Sequence, residues 1–194
     1  MARKGETSDG RLDRSVRTRA KIAAACIELV REGNLSPTSE DVALRAEVGH
    51  RTVFRHFQDM ESLLREIQSQ VEAAMIKFIR PETEGYFQTR LATLVKRRGL
   101  LYEETTNFRL STMVRIWQSP FLQRSNARYQ SALWASTQAS LPELAKAPAN
   151  VRAAIRSLLA FSTWYELRHE QELSVRQAAR VLVQSIETLL GKTA

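Results

Sequence analysis

Three histidines and one cysteine, His50, His56, His169 and Cys26, are the side chains here most suited to metal binding or nucleophilic chemistry. Their spacing supports neither. His50 and His56 stand at i and i+6, on nearly opposite faces of a helix, so they do not share a zinc ion. His169 has no convincing geometry with either. No nucleophile–base pair, metal-ligand cluster or glycine-rich phosphate loop occurs in the chain, so neither an enzyme nor a metal or cofactor is expected. Cys26 sits among Ala and Ile in a helical pattern and has no second cysteine to pair with. It reads as a buried reduced thiol in a cytoplasm-like compartment rather than a redox sensor.

A different chemistry fits the stretch TSEDVALRAEVGHRTVFRHF, residues 38–57. A helical pattern there stops at Val48-Gly49 and a second, short one starts at once. With Val48, Val53 and Phe57 turned to the core, His50, Arg51, Thr52, Phe54, Arg55 and His56 are left outward or at the edges. Arg51 suits the edge of a guanine in bidentate geometry. Thr52 can bond a phosphate or touch a thymine methyl, and His50 and His56 can donate to either. Thr38 and Ser39 open the preceding helix, whose free amides and partial positive charge make them phosphate clamps or plain caps. Two helices crossing at a tight turn, which Gly49 is expected to permit, have the shape of a helix-turn-helix reader of the DNA major groove.

The elements that position these residues are all helical: 3-to-4-spaced apolar patterns dominate, with only 7 Gly and 5 Pro. Residues 1–13 read as a flexible basic arm, whose Arg3, Lys4 and Arg11 follow DNA or are simply solvated. The first helix is expected from about Asp13 to Glu32, ended by Gly33-Asn34, and the second is capped by Thr38 or Ser39 with Asp41 in capping-box spacing. A fourth helix starts after Asp59 and runs to Ile79 before Pro81, long enough to serve as a mechanical link. Then come a helix over 86–104, a shorter one begun by Thr105-Thr106, one from Ser119-Pro120 to about Ala139, and two closing helices over 151–171 and 174–190.

The formal net charge is +8. Residues 1–22 hold seven Lys/Arg against three Asp/Glu, whereas residues 23–65 hold five against seven. The reader's surroundings are net acidic, so overall basicity supports DNA binding only weakly. No apolar segment follows the N-terminal charges and no 18-residue apolar run exists, so neither secretion nor membrane insertion is expected.

Residues 17–67 resemble the DNA-binding domain of the tetracycline-repressor-like (TetR) family of bacterial transcription regulators. The landmarks are Ala46, Val48, Thr52, Val53, Phe54, Arg55-His56-Phe57 and Leu63-Leu64. The resemblance puts His50, Arg51, Thr52, Phe54 and His56 on base- and backbone-contacting positions, with Arg55 beside them, and Thr38 and Ser39 on phosphate contacts. It also marks departures: Phe54 replaces the usual tyrosine, Glu47 the usual glycine before Val48, Gly49 a Ser or Thr cap, and Met60 a frequent lysine.

The resemblance implies a three-helix helix-turn-helix domain over 14–60 and a helical ligand-binding and dimerisation domain over 61–194. Tyr102, Phe108, Met113, Trp117, Phe121 and Trp134 line a pocket for a small apolar ligand in that reading, or simply fill a core. Leu158, Phe161, Tyr165, Leu182, Ile186 and Leu189 lie on two helices with excess apolar surface and form a homodimer interface, or the thick core of a monomer. The expected protein is a homodimeric regulator, a repressor released from a double-stranded DNA operator by its ligand. The rival readings keep the fold but drop the inducer, leaving a vestigial pocket or a protein partner, or make the protein an activator.

Overall fold

The computed structural model describes residues 6–191, with side chains from residue 10 onward. The described residues form helices without strands: α1 (Glu6–Arg31), α2 (Ser39–Arg45), α3 (His50–His56), α4 (Met60–Ile79), α5 (Phe87–Arg115), α6 (Pro120–Ser140), α7 (Ala149–Leu158), α8 (Phe161–Tyr165) and α9 (Val175–Leu189). Short 3-10 turns follow α5 and α6, and a π turn over Glu166–Glu170 continues α8. The chain divides into two compact units, Met1–Ala74 with Asn107–Gln123, and Met75–Thr106 with Arg124–Ala194.

In the first unit α1, α2, α3 and the start of α4 close around Ile22, Ala23, Cys26, Val42, Ala46, Val53, Phe57, Leu63 and Ile67, with Phe108 packed against them. Apolar residues one helical turn apart on each element supply this core, and Ala23, Ala43 and Ala46 let the backbones approach. Burial pushes the Cys26 thiol up to about 11, which keeps it protonated and inert. α1 begins at Glu6, ahead of the expected start at Asp13, so residues 6–13 are helical. Arg3 and Lys4 lie outside the described residues.

Helix ends follow the sequence closely. Gly33, at φ +100°, ends α1: its own N–H donates to Val30 O, and Asn34 N–H donates to Leu29 O at 3.0 Å. Thr38 caps α2 in a reciprocal box with Asp41, and Asp59 caps α4 by accepting from Ser62 N–H at 2.7 Å. The turn after α2 corrects the expectation for Gly49. That residue is extended, at φ −66° and ψ 144°, and needs no glycine. The left-handed residue is Glu47, at φ +48°: its N–H donates to Leu44 O and that of Val48 to Ala43 O, closing a Schellman motif.

Two further expectations change. α5 passes through Thr105-Thr106 without a break, because both hydroxyls bond back to the carbonyls of Leu101 and Tyr102 and need no new helix start. The segment expected as one helix over 151–171 breaks at Leu159-Ala160. The carbonyl freed there accepts from the Tyr102 hydroxyl at 2.7 Å, and Thr163 Oγ1 bonds Ser157 O. The break lets α7 and α8 each turn their own apolar side inward. Ile155, Leu159, Phe161, Trp164 and Leu167 are thus buried in the second unit together with Leu91, Leu101, Leu182 and Ile186.

Gly99 on α5 is the closest approach in that core: an added Cβ would stand 2.5 Å from Trp164 Cη2. Gly99→Ala should therefore lower unfolding stability by about 1–3 kcal/mol in urea titration, through overpacking; an unchanged midpoint would mean that the Trp164 ring can move aside. Glu47→Gly should act oppositely. It removes a left-handed strain that exceeds glycine's entropy cost, for a gain of about 0.5–1 kcal/mol in the same urea titration. The exposed Lys21–Glu47 pair it deletes, 2.9 Å long, offsets little of that gain.

Candidate nucleic-acid interface

α3 is only seven residues long, too short to be stable alone, so its orientation is imposed by what holds it. Val53 and Phe57 are buried beneath it, at 1% and 2% exposure. At its end Arg19 of α1 donates from Nη1 to the His56 carbonyl at 2.5 Å and from Nη2 to Glu66 of α4 at 3.1 Å. The same guanidinium lies 4.1 Å from the centre of the Phe57 ring. A cation on the last carbonyl of a helix is favourable to the helix dipole. The Arg19 hydrogen bond also holds the Glu66 carboxyl below its usual range.

The outer face of α3 presents His50, Arg51, Phe54 and Arg55 to solvent, with Thr52 and His56 half-buried at its edges. Arg51 and Arg55 make no hydrogen bond or ion pair with any described residue. Their fork-shaped donors are free for an outside acceptor. Burial, followed by the charges of Arg55 and Arg19, lowers the His56 pKa from its ordinary 6.5, so the ring is neutral at pH 7. His50 is less free: its Nε2 lies 2.9 Å from Ser39 Oγ and 3.1 Å from Glu40, and its ring meets Phe54 edge-on at 5.0 Å. Thr38 accepts from Asp41 N–H in the capping box. The N-terminus of α2 and the start of α3 are thus joined into one polar surface before any ligand arrives.

Two contributors escaped the sequence reading. Glu40 sits beside His50, and only the folded crossing of α2 and α3 brings the two together. Arg19 lies far from α3 in sequence, and its signal, a basic residue near the apolar stripe of α1, was not specific. The end of α5 adds a third: Arg115 donates to Ser36 Oγ and Pro37 O, and Asn107 to Arg31 O, holding the chain just before Thr38.

The aromatic set expected to line one pocket is divided. Phe108 and Phe121 are half-buried in the first unit, whereas Met113 and Trp117 there are 53% and 85% exposed. Met113 falls on the outer side of α5, and Trp117 follows in the 3-10 turn after it. Tyr102 is buried in the second unit and Trp134 is half-buried there. Of the residues expected at a subunit interface, Phe161, Leu182 and Ile186 are buried within the second unit, Leu158 and Tyr165 are half-buried, and Leu189 is 38% exposed. Among the described residues no group of His, Cys, Asp or Glu could hold a metal ion, and no helix is long and apolar enough to cross a membrane.

Residues 22–67 match the sequence profile described as bacterial regulatory proteins, tetR family. No curated protein sequence matches the chain significantly. Several solved structures share its fold. One, described as a TetR-family transcriptional regulator from Mesorhizobium loti, is 20% identical with a TM-score of 0.65, over 92% of this chain and 97% of that one. A second, from Clostridium perfringens and described as a fatty acid metabolism regulator, is 16% identical with a TM-score of 0.60, over 90% and 98%. A third, a TetR transcriptional regulator from Streptococcus agalactiae, is 19% identical with a TM-score of 0.57, over 92% and 98%. The profile match falls on α1 to α4, the helices that build and hold the exposed face of α3, and the structural likeness extends over nearly the whole chain. Residues 22–67 thus carry a domain of the tetR-family type, and the chain as a whole shares the fold of solved TetR-family regulators.

Proposed function

We propose that the protein is a homodimeric transcriptional repressor of the bacterial cytoplasm that leaves its operator when a small organic ligand enters the second unit. The observation that carries the DNA-reading half is the exposed, unpartnered pair Arg51 and Arg55 on α3, beside the joined polar surface of His50, Ser39 and Thr38. In this reading Arg51 takes a base edge in the major groove. Arg55, Thr52 and the α2 caps grip phosphate, and His50 and His56 contribute as donors. Phe54, 43% exposed, offers an apolar contact to a sugar or a thymine methyl.

One copy of α3 reads only half an operator. Two copies bind together when they are separated by about one turn of DNA, roughly 34 Å. The dimer is proposed to form through the apolar flank of α9, where Val175, Val181 and Leu189 are 38–40% exposed, with half-buried Leu158 and Tyr165 beside it. Phe161, Leu182 and Ile186 then support that surface from beneath. A ligand acts by binding the two dimer states with different affinity, since equal affinity would shift nothing.

Selection of bound sequences from a random DNA pool should return a pseudo-palindrome with half-sites one helical turn apart. Gel shifts on that operator then test the parts. Arg51→Ala should cost about 1–3 kcal/mol of specific binding and relax selectivity at one base position per half-site, with the melting temperature unchanged; unaltered selectivity would remove Arg51 from the base-reading set. Sedimentation at the protein concentration that fills the operator should show a dimer, and a monomer bound there would refute the paired reading.

A further inference from the structure

We propose that the cleft between α5, α6 and α7 in the second unit is an anion site built on Arg98, and that it takes the carboxylate head of a small organic acid. The proposal rests on the reading that the second unit receives the effector, and it names the chemistry of that effector.

Arg98 is 3% exposed. Its Nη2 donates to Leu133 O at 3.1 Å and to Thr137 Oγ1 at 3.3 Å, while Nε is buried with no acceptor at all. No carboxylate among the described residues pairs with it. Nearby Arg90 and Arg97 show the contrast, for each has its own glutamate, Glu143 and Glu82. A guanidinium does not lose its proton in a protein, so it stays charged when buried, and two neutral oxygens compensate it poorly. Its remaining N–H groups form a planar fork that matches a carboxylate.

The surroundings complete the site. The cleft is lined by Arg98, Gln130, Trp134, Thr137, Arg156 and Leu159, with no acidic residue. Exposed Arg156 lies 5.8 Å from the centre of the Trp134 ring. A second cation thus stands at the mouth where an arriving anion would be drawn in, and Gln130 adds an amide donor. The floor has room for about one water-sized group, about 10 Å³, and the cleft opens to about 230 Å³ counting the solvent at its mouth. That shape admits one carboxylate oxygen to the floor and leaves the body of the acid in the open mouth, beside half-buried Trp134. A wholly apolar molecule has no group to replace the water at Arg98.

Sodium benzoate and sodium octanoate serve as probes, each compared with its neutral isostere, benzamide or octanamide, by thermal melting and calorimetry on the full chain. The acids should raise the melting midpoint and the amides should not. Arg98→Met should weaken acid binding about tenfold to a hundredfold, the loss of a charge-assisted hydrogen bond, and Arg156→Gln should weaken it less. If Arg98→Met does not melt cooperatively, the Arg156→Gln result decides, with weakened binding supporting the site and unchanged binding overturning it. Equal responses to acid and amide, no response to either acid, or undiminished acid binding by a folded Arg98→Met protein would also overturn the site. Gel shifts separate the two readings. Amides that bind and release operator while the acids fail refute the anion site alone, whereas acids that bind without changing operator affinity support the site and refute ligand release.

Discussion

The carbonyl at the end of α3 is held by the Arg19 guanidinium, and the direction of the exposed face of α3 depends on that hydrogen bond. A helix of two turns has little stability of its own. Its buried side, Val53 and then Phe57, anchors one line of contact but does not stop rotation about it. Arg19 supplies the missing constraint by binding the backbone of His56, the carboxylate of Glu66 and the face of Phe57 at once, so α1, α3 and α4 meet at one planar group. At the other end of α3 the constraint is polar, through Ser39, Glu40 and His50. Arg51 and Arg55, which lie between these ends, inherit their direction from both.

The second unit is organised around a different economy of space. Gly99 admits the Trp164 ring, whose Nε1 donates to Glu103 at 2.7 Å, and Glu103 is held in turn by Arg168 at 2.9 Å. Tyr102 fills the adjacent layer, meets Phe161 edge-on at 5.5 Å and satisfies the carbonyl at the α7–α8 break. α6 buries the hydroxyls of Ser125, Ser136, Thr137 and Ser140. Thr137 and Ser140 return their hydrogen bonds to α6's own carbonyls, which lets small polar residues line a helix-packed interior at little cost.

How much of this was legible before folding depends on whether the signal was local. Gly33, Thr38 with Asp41, and Asp59 announce helix ends through chemistry confined to a few residues, and each works as its sequence implies. The outward residues of α3 were readable for the same reason, since helical periodicity fixes which side chains oppose Val53 and Phe57. Positions that answer to distant partners were misread. Gly49 looked like the turn residue because glycine usually is one, yet the left-handed conformation falls on Glu47. The break at Leu159-Ala160 carries neither glycine nor proline and is satisfied by Tyr102, far away in sequence. The aromatics of α5 and α6 were grouped by type, whereas α5 continues unbroken and turns Met113 to solvent. Arg98 did leave a trace: it occupies the next inward position after Leu91, Leu94 and Val95 and before Leu101, a cation in an apolar stripe.

The first unit is discontinuous in sequence, and this makes the proposed DNA reader a poor module. Its core includes Phe108, and the loop before α2 is tied down by Asn107 and Arg115, so residues 107–123 complete a structure that began at the N-terminus. No single cut of the chain frees it. A truncation after α4 discards its closing strut, while a continuous fragment long enough to keep that strut also carries the whole of α5. Such threading limits recombination as well: grafting this reader onto a foreign effector domain requires transplanting the end of α5 along with it, as two exchanged segments rather than one.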